Sequence, residues 1–296
     1  MKTLVVAKHS KYEWERKKFD LSHEQIVTKY NKERANLDAI LQANDKQKEV
    51  RELFMGIMLE SRMVMMDTIS ELIKGYDLVI VLGGDNSFTN VSHYVEDIPI
   101  LGVNSDPDRS KGHLLSYSAI DEQSIHHLSE LIDSNKFDIQ RWPKLEATLD
   151  GKSIVSATSE YFFGERQRNK MSRHILVYDG IEYEQKCSGI VVATGAGSTG
   201  WYSSANVDPK SGKPYKEPWS TEKSKASFVI TEPFNNAARA NHCGSIYENE
   251  IILYSLNDDD GLVSVDSWEE YKFLRGSEAR VRLGKSLNVM IPNENI

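Results

Sequence analysis

Hydrophobic and polar positions change their period near the middle of the chain. In the first half, the apolar run at residues 77–82 predicts a buried parallel strand, followed by the turn Gly83-Gly84-Asp85. Residues 87–95 then predict a short helix, and residues 98–103 the next strand. Strand, glycine turn, helix and strand in this order are typical of a crossover unit, so the pattern favours an α/β domain.

Residues 11–75 have a different pattern, with no proline and only Gly56 and Gly75 as glycines. Their apolar residues keep a helical spacing, which predicts long helices and not strands: Val50, Leu53, Phe54, Ile57, Met65, Ile69 and Leu72. The methionines between residues 55 and 66 are interpreted as core or interface packing. The alternative is an adaptable binding surface.

From about residue 139 the period is two, which is typical of antiparallel strands. Asp150-Gly151 and Asp179-Gly180 each separate two short apolar runs, and Asp-Gly readily adopts the positive φ of a type I′ turn. Two hairpins are therefore predicted, at residues 145–158 and 174–185. Further strands are predicted at residues 190–194, 227–231, 250–256, 261–266, 279–283 and 287–291. The pattern divides the chain into an α/β domain, 1–138, and a mostly antiparallel β domain, 139–296. Residues 206–224, rich in Lys, Pro and Ser, predict a mobile surface loop.

Charge, apolar runs and cysteine content exclude some classes of protein. The formal net charge of -8 argues against a nucleic-acid-binding protein, and no apolar run approaches the ~18–20 residues of a membrane span. Cys187 and Cys243 form no disulfide framework, so a reducing compartment, the cytoplasm, is expected. The apolar run at residues 4–7 begins so early that we expect no signal peptide or transit segment.

The first candidate site is the turn Gly83-Gly84-Asp85-Asn86. Two glycines let the backbone approach a diphosphate and leave amides available to it, and a helix N-terminus favours phosphate. A carboxylate here would repel phosphate, so Asp85 is expected either to position Mg²⁺ or to accept the proton of an attacking hydroxyl. The alternative is a tight turn in which Asp85 or Asn86 caps the helix.

Two further candidates lie in the second half. Residues 194–201 alternate three glycines with hydroxyl side chains and end at Trp201, whose ring offers a face to a base. The alternative is a glycine-rich bend with surface hydroxyls. Ser159-Glu160, predicted at the end of a hairpin strand, is by itself most often a solvated pair.

Taken together, the motifs resemble those of the NAD kinase family in the same order. The matching segments are Leu82-Gly83-Gly84-Asp85, Leu101-Gly102-Val103-Asn104, Ala157-Thr158-Ser159-Glu160 and Thr194-Gly195-Ala196-Gly197-Ser198-Thr199. Residues 102–113 and 11–16 resemble the mitochondrial-type branch most. The resemblance covers most of residues 3–200 and fades beyond them.

The resemblance implies a Rossmann-like N-terminal α/β domain and a β-sandwich-like C-terminal domain with NAD between them, in a homodimer. Asp85 would activate the 2′-hydroxyl of the adenosine ribose of NAD or NADH for attack on the γ-phosphate of ATP or another phosphoryl donor. Mg²⁺ would be held mainly by the ATP phosphates, without a set of protein ligands. The implied nucleotide-binding residues are Gly83, Gly84, Asn86, Asn104, Ser159, Glu160, Thr194, Gly197, Ser198, Thr199 and Trp201.

Two positions depart from the family pattern. Asn86 replaces the last glycine of the first loop, and Ser159 replaces an asparagine. If the first position needs positive φ, Asn is the best alternative to glycine. These changes motivate a second hypothesis, a catalytically weak dinucleotide-binding sensor. A third hypothesis is a lipid kinase of the diacylglycerol or sphingosine type, which shares the Gly-Gly-Asp loop.

Overall fold

The computed structural model describes residues 1–58, 60–208, 211–234, 242–258 and 260–293. Its helices are α1 (Lys11–Phe19), α2 (His23–Lys32), α3 (Leu37–Ile57), α4 (Asp85–Ser92), α5 (Glu122–Asp133) and α6 (Trp201–Ala205). Its strands are β1 (Thr3–Ala7), β2 (Ser61–Met65), β3 (Leu78–Gly83), β4 (Ile100–Asn104), β5 (Tyr117–Ser118), β6 (Phe137–Leu149), β7 (Lys152–Ser153), β8 (Glu160–Glu165), β9 (Ser172–Tyr178), β10 (Ile181–Cys187), β11 (Gly189–Ala193), β12 (Ala226–Thr231), β13 (Cys243–Ile246), β14 (Ile251–Ser255), β15 (Gly261–Val265), β16 (Glu269–Lys272) and β17 (Glu278–Pro292). None of the helices in these ranges is long and apolar enough to cross a membrane.

The chain divides into two compact units. The first is Met1–Ile139 together with the chain from Val289 onward, and the second is Gln140–Asn288. The first division lies one residue from the boundary expected from the change of period. The return of the chain end to the first unit has no signature in that pattern, because periodicity does not say which sheet a strand joins.

The first unit is built on a parallel sheet. Its strand order is β2-β1-β3-β4, and every pairing in this series is parallel. Strands β1, β3 and β4 are buried along their whole length, as continuous apolar runs in parallel sheets usually are. The predicted α/β class of the first half is confirmed.

The predicted helical region is α-helical only as far as residue 57, and beyond it residues 66–68 form a single 3₁₀ turn. Ser10 and Ser22 cap α1 and α2 with capping boxes, and Asn36 caps α3. The helical prediction for Met65, Ile69 and Leu72 is wrong. Met65 ends β2, which pairs along its whole length with β1, and residues 69–75 contain no helix. Pairing with a long-range partner decides the outcome here, because intrinsic propensity is weak enough for tertiary context to override it.

The second unit consists of two antiparallel sheets. One has the order β10-β9-β14-β17 and the other β13-β12-β11-β8-β15-β16. Side chains of both sheets enter one core, among them Leu176, Leu253 and Val281 from the first sheet and Phe163, Val192 and Phe228 from the second. Two sheets packed around a shared apolar core form a β-sandwich, as expected.

The two Asp-Gly turns confirm the local predictions. Asp150 and Gly151 have φ of 50° and 75°, and Asp179 and Gly180 have φ of 51° and 75°. The second strand of the first hairpin is only Lys152–Ser153, which is shorter than predicted. Residues 206–224 contain no regular helix or strand where described, but Lys216 and Trp219 tie them to the rest of the unit through hydrogen bonds to Ser245 and Ser198.

The strand assignments of the second half contain two errors. Residues 279–283 and 287–291 belong to one uninterrupted strand, β17, and not to two. Gly284 marks no turn, since a Cβ there would lie 2.2 Å from Cγ of Glu146, so the glycine makes room for that side chain. Strands β8, β13 and β16 were not predicted, because their apolar residues do not alternate cleanly with polar ones.

Candidate functional site

The first candidate loop lies where the strand order of the parallel sheet reverses. β1 and β3 are neighbours, whereas β2 and β4 continue the sheet on opposite sides. At such a switch point the segments that leave the two strands diverge and open a crevice at their carboxyl ends, the usual ligand site of open α/β sheets. Lys8 follows β1, and its backbone N–H donates to the carbonyl of Leu82 at 3.2 Å. Gly83 ends β3, so Lys8 and the glycine turn share this edge.

Gly83 and Gly84 are glycines for different reasons. A Cβ on Gly83 would lie 2.7 Å from Oγ of Ser87, so the turn closes only without a side chain. At Gly84 the nearest atom to such a Cβ is Nζ of Lys8, at 3.9 Å, so this backbone is open. Gly84 is also the N-cap of α4, and no side chain makes a capping hydrogen bond there. The alternative in which Asp85 or Asn86 caps the helix is therefore wrong.

Asp85 is the first residue of α4 and is half-buried. Its Oδ2 accepts from the backbone N–H of His113 at 3.0 Å, and its Oδ1 accepts from that of Leu114 at 2.9 Å. The carboxylate is thus held in place by the segment that follows β4. Each oxygen retains a lone pair, so Asp85 can still accept a proton or contact a cation.

Asn104 lies next to the loop, but its side chain forms hydrogen bonds within the protein. It ends β4 opposite Gly83 and is 2 % exposed. Its Oδ1 accepts from the N–H of Asp106 at 3.0 Å, and its Nδ2 donates to the carbonyl of Ser110 at 2.7 Å. The oxygen and the nitrogen of the Asn104 side chain thus stabilise the turn after β4. This turn leads into the segment whose amides bind Asp85.

Lys8 is a functional candidate that the motif analysis missed. Its ammonium lies over the Gly83-Gly84 backbone, and burial lowers its pKa, while the negative charge of Asp106 acts in the opposite direction. Asp106 is itself buried, accepts from Gln47 at 3.2 Å, and has one carboxylate oxygen without a hydrogen bond among the described residues. The signal available in the sequence was a lysine directly after the first buried strand.

In the second unit, Asp266 organises the predicted Ser159-Glu160 segment. Its carboxylate accepts from three consecutive backbone amides, those of Thr158, Ser159 and Glu160, at 2.8, 2.8 and 2.9 Å. Ser159 and Glu160 do not end a hairpin strand as predicted. Glu160 begins β8, and the three amides are available because the chain turns into that strand there. Asp266 lies more than a hundred residues away, so no local pattern indicates it.

Glu160 is held against the second glycine loop. A Cβ on Gly197 would lie 2.3 Å from the carbonyl oxygen of Ser159 and 3.0 Å from Oε2 of Glu160. Burial, together with the negative charge of Asp266, raises the pKa of Glu160 to about 8. At neutral pH the carboxyl is therefore mostly protonated, and it can donate a hydrogen bond as well as accept one.

The hydroxyls of the second loop divide into internal and exposed groups. Thr194 Oγ1 donates to the carbonyl of Thr158 at 2.6 Å, and Ser198 Oγ donates to that of Gly195 at 2.8 Å. Both side chains are 1 % exposed. Thr199 is exposed. Among the predicted hydroxyl donors of this loop, Thr199 is thus the one presented to solvent.

One face of the Trp201 ring is covered. Its indole stacks on Phe162, with centroids 4.8 Å apart and planes at 29°, and the guanidinium of Arg168 lies 5.2 Å from the ring centroid. Trp201 packs with the cluster beneath the loop. A role for it in binding a base stays a prediction, and its packing role is established.

Comparisons with known proteins agree on one family. The model of the ATP-NAD kinase N-terminal domain matches residues 6–131. NAD kinase 2, mitochondrial, of Rattus norvegicus is 24% identical over 96% of this chain and 85% of its own length. The chain is thus similar to NAD kinases over most of its length.

Two solved structures of such kinases show the same fold. The crystal structure of an NAD kinase from Archaeoglobus fulgidus in complex with ATP is 18% identical, with a TM-score of 0.64, covering 99% of this chain and 94% of that one. The yeast NADH kinase complexed with NADH is 14% identical, with a TM-score of 0.68, covering 100% and 84%. They confirm the predicted α/β domain followed by a β-sandwich.

The structure changes the interpretation of the departure at Asn86. The expectation of positive φ is wrong: Asn86 is the second residue of α4 and is absent from the positive-φ residues of the structure. Any residue adopts helical φ, so the backbone does not demand glycine here. The Asn86 side chain is exposed and does not belong to the buried turn.

The described residues also show which groups could bind Mg²⁺. No group of three or more His, Cys, Asp or Glu side chains within them is arranged to hold a metal ion. Mg²⁺ usually keeps waters and binds proteins through one or two carboxylates plus substrate phosphates. Asp85, half-buried at the open loop, fits such a sparse contribution.

Proposed function

We propose that this protein transfers the γ-phosphoryl group of ATP to the 2′-hydroxyl of the adenosine ribose of NAD or NADH, with Asp85 as the general base. The observation that carries the proposal is the Asp85 carboxylate at the first turn of α4, fixed by two amides, beside the open backbone of Gly84. The similarity to NAD kinases suggests the substrate class, and this geometry suggests the residue.

The chain's own groups suit the steps of such a transfer. The amides at the N-terminus of α4 and the ammonium of Lys8 offer positive charge to the donor phosphates. Asp85 accepts the proton of the ribose hydroxyl as the new P–O bond forms and the bond to the departing ADP breaks. Because phosphoryl transfer depends mostly on positioning and charge neutralisation, a few fixed donors and one base suffice. Mg²⁺, when bound with ATP, would add neutralisation of the phosphate charge.

In the second unit, Glu160 is the group we propose for the dinucleotide. Its carboxyl lies beside Gly197, and the elevated pKa makes it a neutral donor at physiological pH. A neutral carboxyl can contact ribose hydroxyls or a base without repelling the dinucleotide phosphates. Ser159 contributes its backbone to the same turn.

The decisive experiment compares the wild type with Asp85→Asn. Each protein is incubated with ATP, Mg²⁺ and either NAD or NADH, and the 2′-phosphorylated product is separated and quantified. We expect the wild type to be active and the variant to lose roughly 10²–10⁴-fold in turnover, the usual contribution of a general base. Binding of NADH, followed by its fluorescence, should change only a few-fold, because a base acts mainly in the transition state.

The control addresses the second task of Asp85, which is to hold the segment after β4. Asn can keep one of the two amide hydrogen bonds, so thermal unfolding of the variant reports any structural loss. Asp108→Asn is the matched exposed substitution in that segment, since Asp108 is exposed and its ion pair with Lys46 lies at the surface. An Asp85→Asn protein with normal turnover would remove Asp85 from the mechanism.

The commitment of both Asp85 oxygens to amides also supports one alternative. A carboxylate held in this way can be purely structural, and the protein would then bind the dinucleotide without phosphorylating it. A wild type without measurable transfer, but with intact NADH binding, would favour this sensor. We further propose a homodimer in a reducing compartment such as the cytoplasm. Light scattering and localisation of the tagged protein test these two proposals.

A further inference from the structure

Two lysines of the second unit lie together without an acidic partner. Lys225 directly precedes β12 and is only 9% exposed. Its ammonium lies over the ring of Trp219, 4.2 Å from the centroid. Lys216 Nζ donates to Oγ of Ser245 at 2.8 Å. The cluster thus combines two cations, a hydroxyl and an aromatic face.

Neither lysine forms an ion pair with any of the described residues. Glu217 and Glu222, the nearest carboxylates along the chain, are exposed and pair with neither. Lysine is almost never so deeply buried unless it is paired, because the lost hydration needs compensation. Lys8, by contrast, lies near the carboxylate of Asp106. The charge of Lys225 therefore has a cation–π contact with Trp219 but no carboxylate partner among the described residues.

The other titratable groups around the lysines do not supply negative charge. Burial raises the pKa of the Cys243 thiol and of the Tyr202 and Tyr215 phenols, so all three remain neutral near pH 7. Burial lowers the pKa of Lys225, and the positive charges of Lys216 and Lys223 lower it further. An anion between the lysines would relieve both effects.

The lysine cluster is joined to the second glycine loop. Ser198 Oγ lies 3.3 Å from both the backbone carbonyl and the N–H of Trp219. The ring of Tyr202, one residue after Trp201, packs edge-on against Trp219 at 5.3 Å. A ligand held by Lys225 would therefore lie near the loop to which we assign dinucleotide binding.

We infer that Lys216 and Lys225 form a binding site for a phosphoryl group, with the Ser245 hydroxyl as a further donor. The two lysines are neighbours, because Lys225 lies two residues from Ser227, whose Oγ is 3.4 Å from Oγ of Ser245, the atom that Lys216 contacts. Phosphate suits two neighbouring ammonium groups because it accepts several charge-assisted hydrogen bonds at once. The group could belong to a dinucleotide or to inorganic phosphate or pyrophosphate. The phosphoryl class follows from the lysines, whereas a dinucleotide source rests on the proposed function.

Calorimetry with pyrophosphate and, separately, NADH tests the site on the full chain without ATP, so an inactive kinase does not affect the outcome. The variants are Lys225→Met, Lys216→Met and, as the matched control in the same loop, the exposed Lys213→Met. We expect each cluster variant to weaken binding on the order of tenfold and the control to bind like the wild type. Without ligand, Lys225→Met should melt no lower than the wild type, since it removes a buried positive charge that has no carboxylate partner among the described residues, while methionine can still pack on Trp219.

The two probes distinguish the source of the phosphoryl group. Lysine-dependent binding of pyrophosphate supports a site open to inorganic anions, and lysine dependence with NADH alone supports a dinucleotide site. The inference is overturned if the wild type binds neither probe, or if Lys216→Met and Lys225→Met bind both as tightly as the wild type. Should Lys225→Met fail to fold, the half-buried Lys216 carries the same test.

Discussion

Two glycine-rich turns follow buried strands in this protein, one after β3 and one after β11, and they use their glycines differently. In the second turn a Cβ on Gly195 would lie 2.3 Å from the carbonyl oxygen of Ser220, and one on Gly197 equally close to that of Ser159. These glycines let backbone pack on backbone. In the first turn Gly84 has open space and a nearby ammonium. Similar composition thus serves internal packing in one turn and an accessible backbone in the other.

The largest expected effect tests this difference directly. Gly195→Ala should lower the free energy of unfolding by roughly 2–4 kcal/mol, because the fixed backbone of Ser220 must move. Gly84→Ala should cost less than about 1 kcal/mol, since its backbone is extended and its surroundings are open. Urea unfolding of the two variants measures both values. Equal losses would mean that the two turns do not differ as described.

The next effect concerns the positive charge beside the open turn. Lys8→Met should raise the KM for ATP about 10–100-fold, since a hydrogen bond between charged groups contributes roughly 1.5–3 kcal/mol. NADH affinity should stay unchanged. The exposed Lys74→Met variant is the control for lost charge. An unchanged KM for ATP in Lys8→Met would separate Lys8 from the donor phosphates.

A pH effect is expected from Glu160 in the second unit. Its pKa is about 8 in the folded protein and about 4.3 in an unfolded chain. Between these values the folded state binds a proton that the unfolded state has released, so this group makes stability fall as pH rises from about 4.5 to 8. Glu160→Gln has no titrating carboxyl at this position and therefore does not show this fall in stability. Relative to the wild type, it should gain on the order of 2 kcal/mol between pH 5 and pH 8.5, a value reduced because solvent reaches part of the side chain.

Chemical denaturation at the two pH values provides the measurement for Glu160. The exposed Glu269→Gln variant of the same unit should follow the wild type at both. If Glu160→Gln also follows the wild type, the carboxyl is ionised in the folded protein, and the proposed neutral donor is lost.

The smallest effect is expected at Asn86. Glycine at this exposed helical position should cost at most about 1 kcal/mol of stability and leave phosphoryl transfer equal or slightly higher. Single-turnover assays of wild type and Asn86→Gly with NAD distinguish tuning from lost function. A kinase that appears only in the glycine variant would indicate that Asn86 blocks the donor site in the natural sequence.

Local signals predicted the parts of this molecule that depend on neighbouring residues. The Asp-Gly turns, the glycine loop after β3 and the α/β-to-β transition all follow from short-range preferences. Strand β2 was missed because pairing with β1 overrides its helical spacing. Asp266 was missed because it acts on residues more than a hundred positions earlier. The site residues proposed from the motifs stay predictions as ligand contacts, although the structure explains what most of them hold.

The last strand has a consequence for how the chain is made. Val289 pairs with Ile100, and Met290 is buried in the core of the first unit beside β4. During synthesis, the sheet that begins at residue 3 must therefore wait until residue 289 has been made before this neighbour arrives. Until then the part of β4 near Ile100, which β5 does not cover, offers unpaired backbone groups along one edge, the kind of edge that recruits other chains. A nascent chain stalled within the second unit would thus be prone to aggregation through its first.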